Sequence, residues 1–187
     1  MPEVELIEAC AHNDLDSQKV FYDRYGRVVM GICMRYAGCE KEAGAMTQYV
    51  FRKIFEDINR CSLKEDIGQW IEQKVIWSAI QYLHCDKHKY FIAKTTVYVE
   101  NKPVYSKAID EVNLPDEMNR QLYLAALQEL TPSYRILYNL TYIDEVMTEE
   151  IIKNLQIAEE TYNVEIDEAK YQFKKLLTKR LNEQNLQ

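Results

Sequence analysis

The fold of this chain is decided by the sequence LQELTPSYRILYNLTYIDEVMTEEIIKNLQIAEETYNVEIDEAKYQFKKLL, residues 127–177. Pro132 opens a first helix, since proline is well tolerated at the first helical position. A short second helix and a third helix over 158–180 follow, which is the order of a helix-turn-helix motif. The third helix carries Glu165, Asp167 and Glu168 where a DNA-reading helix normally presents cations or amides. The pattern predicts a DNA-reading scaffold whose charges oppose DNA.

The charge of the chain, formally −7 at pH 7, argues against broad affinity for nucleic acid, because neutralisation of phosphates by Lys and Arg supplies most of that affinity. Acids are concentrated in 141–169, where Lys153 is the only basic side chain. Basic residues return between Lys170 and Arg180, where they also complement the C-terminal end of the helix dipole. For the third helix, a solvated acidic face is therefore favoured over base reading, with some backbone contact late in the helix left open.

Composition and patterning predict an all-α protein. Glycine and proline number only five and four, while helix-forming residues are plentiful. Apolar residues recur at helical spacing over 16–37, 40–59 and 66–84, which predicts three long helices that share one core. Asn13 or Asp14 is expected to cap the N-terminus of the first of these helices, and Gly38 is expected to end it.

Helical periodicity fails between about 90 and 115, where 95–99 is β-branched and aromatic, and it resumes near Asp116. We therefore expect two helical domains, 1–90 and 117–187, joined by a linker over 91–116 that holds a short extended segment. The polar end of the chain, 182–187, is expected to fray.

The sequence predicts a cytoplasmic protein that is not an enzyme. It has no apolar run long enough to span a membrane, and its acidic start lacks the features of a secretory signal. Five cysteines without a C-x-x-C pair indicate reduced thiols. No nucleophile–base pair, phosphate-binding glycine loop or ordered metal-ligand set appears, so no cofactor and no metal are expected. His84 and His88 beside Cys85 have a spacing that can bind zinc, but two solvated histidines at a helix end are favoured.

The aromatic residues leave alternatives open. Trp70 and Trp77 lie seven residues apart on nearly one face, and core packing is expected for Trp70. For Trp77, core packing stands beside an exposed anchor for a protein partner and stacking on unpaired bases. Tyr134, Tyr138 and Tyr142 recur at four-residue spacing, which indicates either a core stripe with its hydroxyls at the rim or an exposed protein-binding patch.

Short strings occur in the same order along both halves of the chain. The first half contains FYDRY at 21–25, MGICMRY at 30–36, Q-x-x-F-x-x-I-F at 48–55 and WI at 70–71. The second half contains AL-x-x-L-x-P-x-x-R at 126–135, EI at 150–151, L-x-I at 155–157 and AK at 169–170. In this order they resemble the extracytoplasmic-function sigma factors, especially the kind common in the Bacteroidetes.

The resemblance implies a fold and a set of contacts. The fold is a sigma region 2-like helical bundle followed by a sigma region 4-like helix-turn-helix domain. The residues implied to bind core RNA polymerase are Gln48, Phe51, Ile54 and Phe55. The residues implied to lie at promoter DNA are Trp77, Gln81, His84, Lys87, Thr161, Asn163, Lys170 and Lys174.

The chain departs from the family pattern at positions of expected contact. Gly44 and Ala45 replace an acidic pair ahead of Gln48, Trp77 replaces a polar residue, and Glu168 stands where a basic residue is expected. The first hypothesis is a sigma-factor-like protein for transcription initiation that binds core RNA polymerase and promoter DNA, with an anti-sigma or other regulatory protein as a further partner. The alternative is a regulatory interaction protein that keeps the sigma fold and has lost promoter recognition.

Overall fold

Helices make up the regular secondary structure of residues 1–61, 66–86 and 120–185, which are the parts of the chain that the structure, a computed structural model, describes. No strand occurs in these ranges, so the all-α prediction is confirmed. The chain divides into two units, Met1–His88 and Lys89–Gln187. The predicted linker over 91–116, with its extended segment at 95–99, lies outside the described residues.

The described part of the first unit is a bundle of four α-helices, of which three are the predicted long helices. They are α1 (Glu3–Ala11), α2 (Leu15–Tyr36), α3 (Glu40–Asp57) and α4 (Ile67–Asp86), with a 3-10 turn at Ile58–Arg60 after α3. The three long helices begin and end within about two residues of the predicted bounds, because their apolar stripes are continuous. α3 packs against both α2 and α4, so its apolar face forms the centre of the bundle.

The junctions on either side of α2 show how its ends are fixed. The Asp14 carboxylate accepts a hydrogen bond from the Ser17 backbone N–H at 2.9 Å, so Asp14 is the N-cap. Asn13 supplies the turn before it with a φ of 62°. The helix ends at Ala37, in an extended conformation, and the N–H of Gly38 donates to the Glu42 carboxylate at 2.7 Å. Gly38 therefore takes part in the start of α3 rather than in a left-handed end of α2.

The described part of the second unit, residues 120–185, contains four further α-helices. They are α5 (Arg120–Glu129), α6 (Pro132–Tyr138), α7 (Thr148–Leu155) and α8 (Glu159–Asn185), with a π-helical turn at Asn139–Ile143 that continues α6. α5 and α6 both pack on α8. α7, the turn after it and α8 form the predicted helix-turn-helix. α8 continues through Asn185, and the fraying of the polar end from 182 stays a prediction.

A buried arginine joins α5 and α6 in the second unit. Arg135 is only 3% exposed, and its Nη1 donates to the carbonyl oxygens of Gln128 and Leu130, at 3.0 Å each. These carbonyls belong to the last turn of α5, where helical geometry provides no partner within the helix. Asn139, fully buried, donates from Nδ2 to the Arg135 carbonyl at 2.8 Å. The arginine of the Pro-x-x-Arg string therefore holds the fold together.

Candidate functional site

The exposed side of α3 carries only part of the predicted polymerase-binding set. Gln48 is exposed and Phe55 is half-buried. Phe51 is 5% exposed and Ile54 is fully buried, because α3 lies between two other helices. The Phe51 ring lies 4.6 Å from the ring of Tyr22 on α2. Of the four residues, Gln48 and part of Phe55 reach the surface, while Phe51 and Ile54 are buried beneath it.

A cluster of aromatic and cationic side chains on the same helix was missed from the sequence. The Arg52 guanidinium carbon lies 5.0 Å from the centre of the Tyr49 ring, and Lys53 Nζ lies 5.8 Å from it. The Tyr49 ring also lies 5.5 Å from that of Tyr82 on α4, and its hydroxyl donates to Gln81 at 3.5 Å. Tyr49, Arg52 and Lys53 have the i, i+3 and i, i+4 spacing of one helix face, whereas the contact with Tyr82 joins two helices and has no signal in that spacing.

The predicted DNA-facing residues of α4 are accessible in part. Gln81 and His84 are exposed, and Trp77 is half-buried. Partial desolvation lowers the pKa of His84 below its ordinary value of 6.5, which favours the uncharged imidazole at neutral pH. Trp70 is half-buried like Trp77, so each of the two side chains is partly covered and partly accessible. Lys87 lies outside the described residues.

The zinc alternative at the end of α4 involves residues outside the described set. The His84 ring is described, but the side chain of Cys85 and the whole of His88 are not. Among the described side chains, no group of three or more His, Cys, Asp and Glu residues could hold a metal ion.

The burial pattern of α8 defines which of its faces is available. Its inner face is buried and consists of Tyr162, Ile166, Ala169, Phe173 and Leu177. The opposite face starts with the exposed residues Glu160, Thr161, Asn163, Val164 and Asp167. Val164 is 68% exposed. A helix-turn-helix places this face of its last helix in the major groove. Here that face holds two acids and one apolar residue beside Thr161 and Asn163, the two predicted DNA contacts that are exposed on it.

The remaining predicted residues of α8 are less exposed than this face. Lys170 and Lys174 are half-buried, and Lys170 Nζ lies 6.0 Å from the centre of the Tyr142 ring. Glu165 is also half-buried and raises the pKa of the nearby Tyr134 hydroxyl, although burial is the larger cause of that shift. The acids that dominate the exposed face are therefore Glu160 and Asp167 rather than Glu165.

The tyrosine stripe of the second unit is divided between core and surface. Tyr134 and Tyr138 pack partly buried against the hydrophobic cluster of α5 and α8, with the Tyr138 ring 4.3 Å from that of Phe173. Burial raises the pKa of Tyr138 far above its ordinary value. Tyr142, one helical turn further on, is 42% exposed. Tyr134 and Tyr138 therefore lie half-buried at the edge of the core, and Tyr142 is the most exposed of the three.

In its described residues, the chain has the architecture of a helical bundle followed by a unit with a helix-turn-helix. No helix within the described ranges is both long and apolar enough to cross a membrane. No family model matches the chain. It is similar to the ECF RNA polymerase sigma factor SigW of Bacillus subtilis (strain 168), with 23% identity over 176 residues that cover 91% of this chain and 94% of that protein. This supports a distant relationship to the sigma-factor family and does not bear on the narrower Bacteroidetes-like grouping.

Proposed function

We propose that this chain is a divergent sigma-factor-like protein that takes part in transcription initiation by binding core RNA polymerase and promoter DNA. The observation that carries the proposal is the alignment with SigW, which runs through both units rather than through the helix-turn-helix alone. A helix-turn-helix shared by chance would align over one unit only, since that motif occurs in many unrelated proteins.

The surface assigned to core polymerase is the exposed side of α3, with Gln48 and Arg52 at its centre. Gln48 is exposed, and the Arg52 side chain keeps 62% of its exposure although it lies 3.7 Å from Glu56. The buried Phe51 and Ile54 fix the orientation of this helix from beneath. A rigid helix face with an arginine and an amide is suited to a protein interface.

The experiment is a fluorescence-anisotropy titration of the labelled full-length chain with bacterial core RNA polymerase. Replacing Gln48 and Arg52 together by Ala should weaken binding at least tenfold, about 1.4 kcal/mol. Gln73→Ala, at an exposed glutamine of α4, is the matched control and should bind like the wild type. Absence of binding by the wild-type chain would refute the proposal. Equal losses in both variants would place the interface elsewhere.

A second function is favoured by the acidic face of α8. We infer that, in this second function, the chain is a regulatory interaction protein. It would occupy polymerase or bind another regulator without reading a promoter. Glu160 and Asp167 lie where phosphate-binding cations are expected. The Val164 side chain cannot form a hydrogen bond with a base in a DNA groove. Each carboxylate forfeits counterion release and repels phosphate.

Charge reversal on this face separates the two functions. Glu160→Lys with Asp167→Lys should raise nonspecific DNA affinity and steepen its salt dependence by about 0.9 for each phosphate that the new lysines neutralise. Glu5→Lys with Glu8→Lys, at exposed positions of α1, changes the net charge equally and is the control. Equal increases in affinity would mean that net charge alone is responsible. Tight, sequence-selective promoter binding by the unaltered chain with polymerase would exclude the second function.

A further inference from the structure

α8 has a division of charge that neither proposed function uses. Residues 159–168 contain five carboxylates and no basic side chain, whereas 170–180 contain five basic side chains and no carboxylate. The helix dipole favours this order. The order nevertheless leaves Asp167 and Lys170 as the only acid and base within 159–180 at the i, i+3 or i, i+4 spacing that allows pairing along one helix.

The outward-facing residues of α8 are symmetric about Tyr171. Three residues on either side of it stand Glu168 and Lys174, four on either side Asp167 and Lys175, and seven on either side Val164 and Thr178. Steps of three, four and seven residues are those of a stripe along which two helices pair. The seven residues, here named the α8 stripe, are each exposed or half-exposed: Val164, Asp167, Glu168, Tyr171, Lys174, Lys175 and Thr178.

We propose that the α8 stripe pairs antiparallel with the α8 stripe of a second copy of this chain, across a two-fold axis at Tyr171. Turning one helix end for end sets Asp167 of one copy opposite Lys175 of the other, and the two-fold axis repeats every such pair. Glu168 meets Lys174 in the same way. Parallel pairing would instead set carboxylate against carboxylate, so the charges select one orientation.

Apolar contact along the stripe supplements the ion pairs. Tyr171 meets its own copy at the axis, where a tyrosine contributes a large rigid surface. Val164, 68% exposed in the single chain, is covered by the Thr178 methyl group of the other copy. Pairing covers the face that a helix-turn-helix offers to DNA, so the dimer is a form of the chain that does not read DNA through α8. The inference depends on neither proposed function.

Sedimentation velocity of the full-length chain over a range of concentrations tests the pairing. The wild type should form a reversible dimer that dissociates as salt is raised, since exposed charge pairs are screened. A basic variant, Asp167→Lys with Glu168→Lys, should associate at least tenfold more weakly, because like charges then face each other. An acidic variant, Lys174→Glu with Lys175→Glu, should be weakened equally. An equimolar mixture of the two should restore the dimer, since all four positions are then complementary.

The equimolar mixture of the basic and acidic variants is the decisive sample, because a general effect of charge cannot restore the dimer at the α8 stripe. Glu149→Lys with Glu150→Lys, at exposed positions of α7, is the control and should leave the dimer intact. Circular dichroism checks that each variant is folded, and Val164→Asp provides a second, single-site test that should also give monomer. A monomeric wild type, a dimer insensitive to these substitutions, or a mixture that stays monomeric would each overturn the proposal.

Discussion

Replacing Arg135 by Leu should destabilise the second unit by about 3 kcal/mol and leave the first unit unchanged. The guanidinium donates two hydrogen bonds to the last turn of α5, to the carbonyls of Gln128 and Leu130. Charged hydrogen bonds contribute about 1.5–3 kcal/mol each. Leu removes both hydrogen bonds, but it also removes the cost of burying a cation. The expected loss of unfolding free energy is therefore near the lower end of the summed contribution of the two bonds.

The two units can be followed separately in one denaturant titration. The chain has two tryptophans, Trp70 and Trp77, both on α4, so tryptophan fluorescence reports the first unit while circular dichroism reports helices of both. Arg135→Leu should shift a part of the dichroism transition to lower urea and leave the fluorescence transition in place. Arg180→Leu, which removes a partly exposed ion pair with Glu129, should cost no more than about 1 kcal/mol.

The prediction is refuted if the fluorescence transition moves with the dichroism in Arg135→Leu, since the units would then unfold together. It is also refuted if Arg135→Leu costs no more than Arg180→Leu. In that case the buried guanidinium would contribute little beyond an exposed ion pair, and its two hydrogen bonds would not hold α5 to α6.

Further predictions concern local features of both units. Gln156 ends α7 with a φ of 54°. Gln156→Gly should raise the free energy of unfolding by about 0.5–1 kcal/mol, because the relief of left-handed strain exceeds the entropy that glycine adds to the unfolded chain. Urea denaturation followed by circular dichroism measures this change. The hydrogen bond from Lys74 holds the pKa of Asp57 below 3.8, so its contribution to stability is present above that pH and is lost as the pH falls through the lowered pKa. Asp57→Asn should remove about 0.5 kcal/mol at neutral pH, since water screens the pair, and should flatten the acid limb of tryptophan-monitored stability. In thiol titration, Cys39, which is exposed, should react fast, and Cys33, buried with a pKa raised to about 11, should react only on unfolding; Cys39→Ser provides the control.

Much of the fold follows from the sequence because helical periodicity is a local property. The stripes on α2, α3 and α4 give their bounds to within about two residues. What periodicity does not give is the conformation of single residues at the junctions. Asn13 and Gln156 adopt positive φ values without being glycine, and Ala37 ends α2 before Gly38 is reached.

The candidate site is less predictable, because resemblance identifies positions without stating whether they are buried. Phe51 and Ile54 match the string that implies polymerase contact, yet both are core residues. Tyr49 and Arg52, which do reach the surface, match no string. Their cluster with Tyr82 depends on how α3 packs against α4, a contact between residues more than thirty positions apart that no spacing within one helix reveals.

Sequence strings shared with a family are therefore stronger evidence for the fold than for the function. Arg135 is retained where the family pattern expects it, and here it is buried and bonded to backbone, so selection for folding alone would keep it. Asp167 and Val164 are exposed, so folding places almost no demand on them and they are free to follow whatever α8 contacts. An outward face that carries Glu160, Asp167 and Val164 beside the uncharged Thr161 and Asn163 is consequently evidence about the partner. It favours a protein surface, which accepts both carboxylate and methyl groups, over the phosphates of DNA.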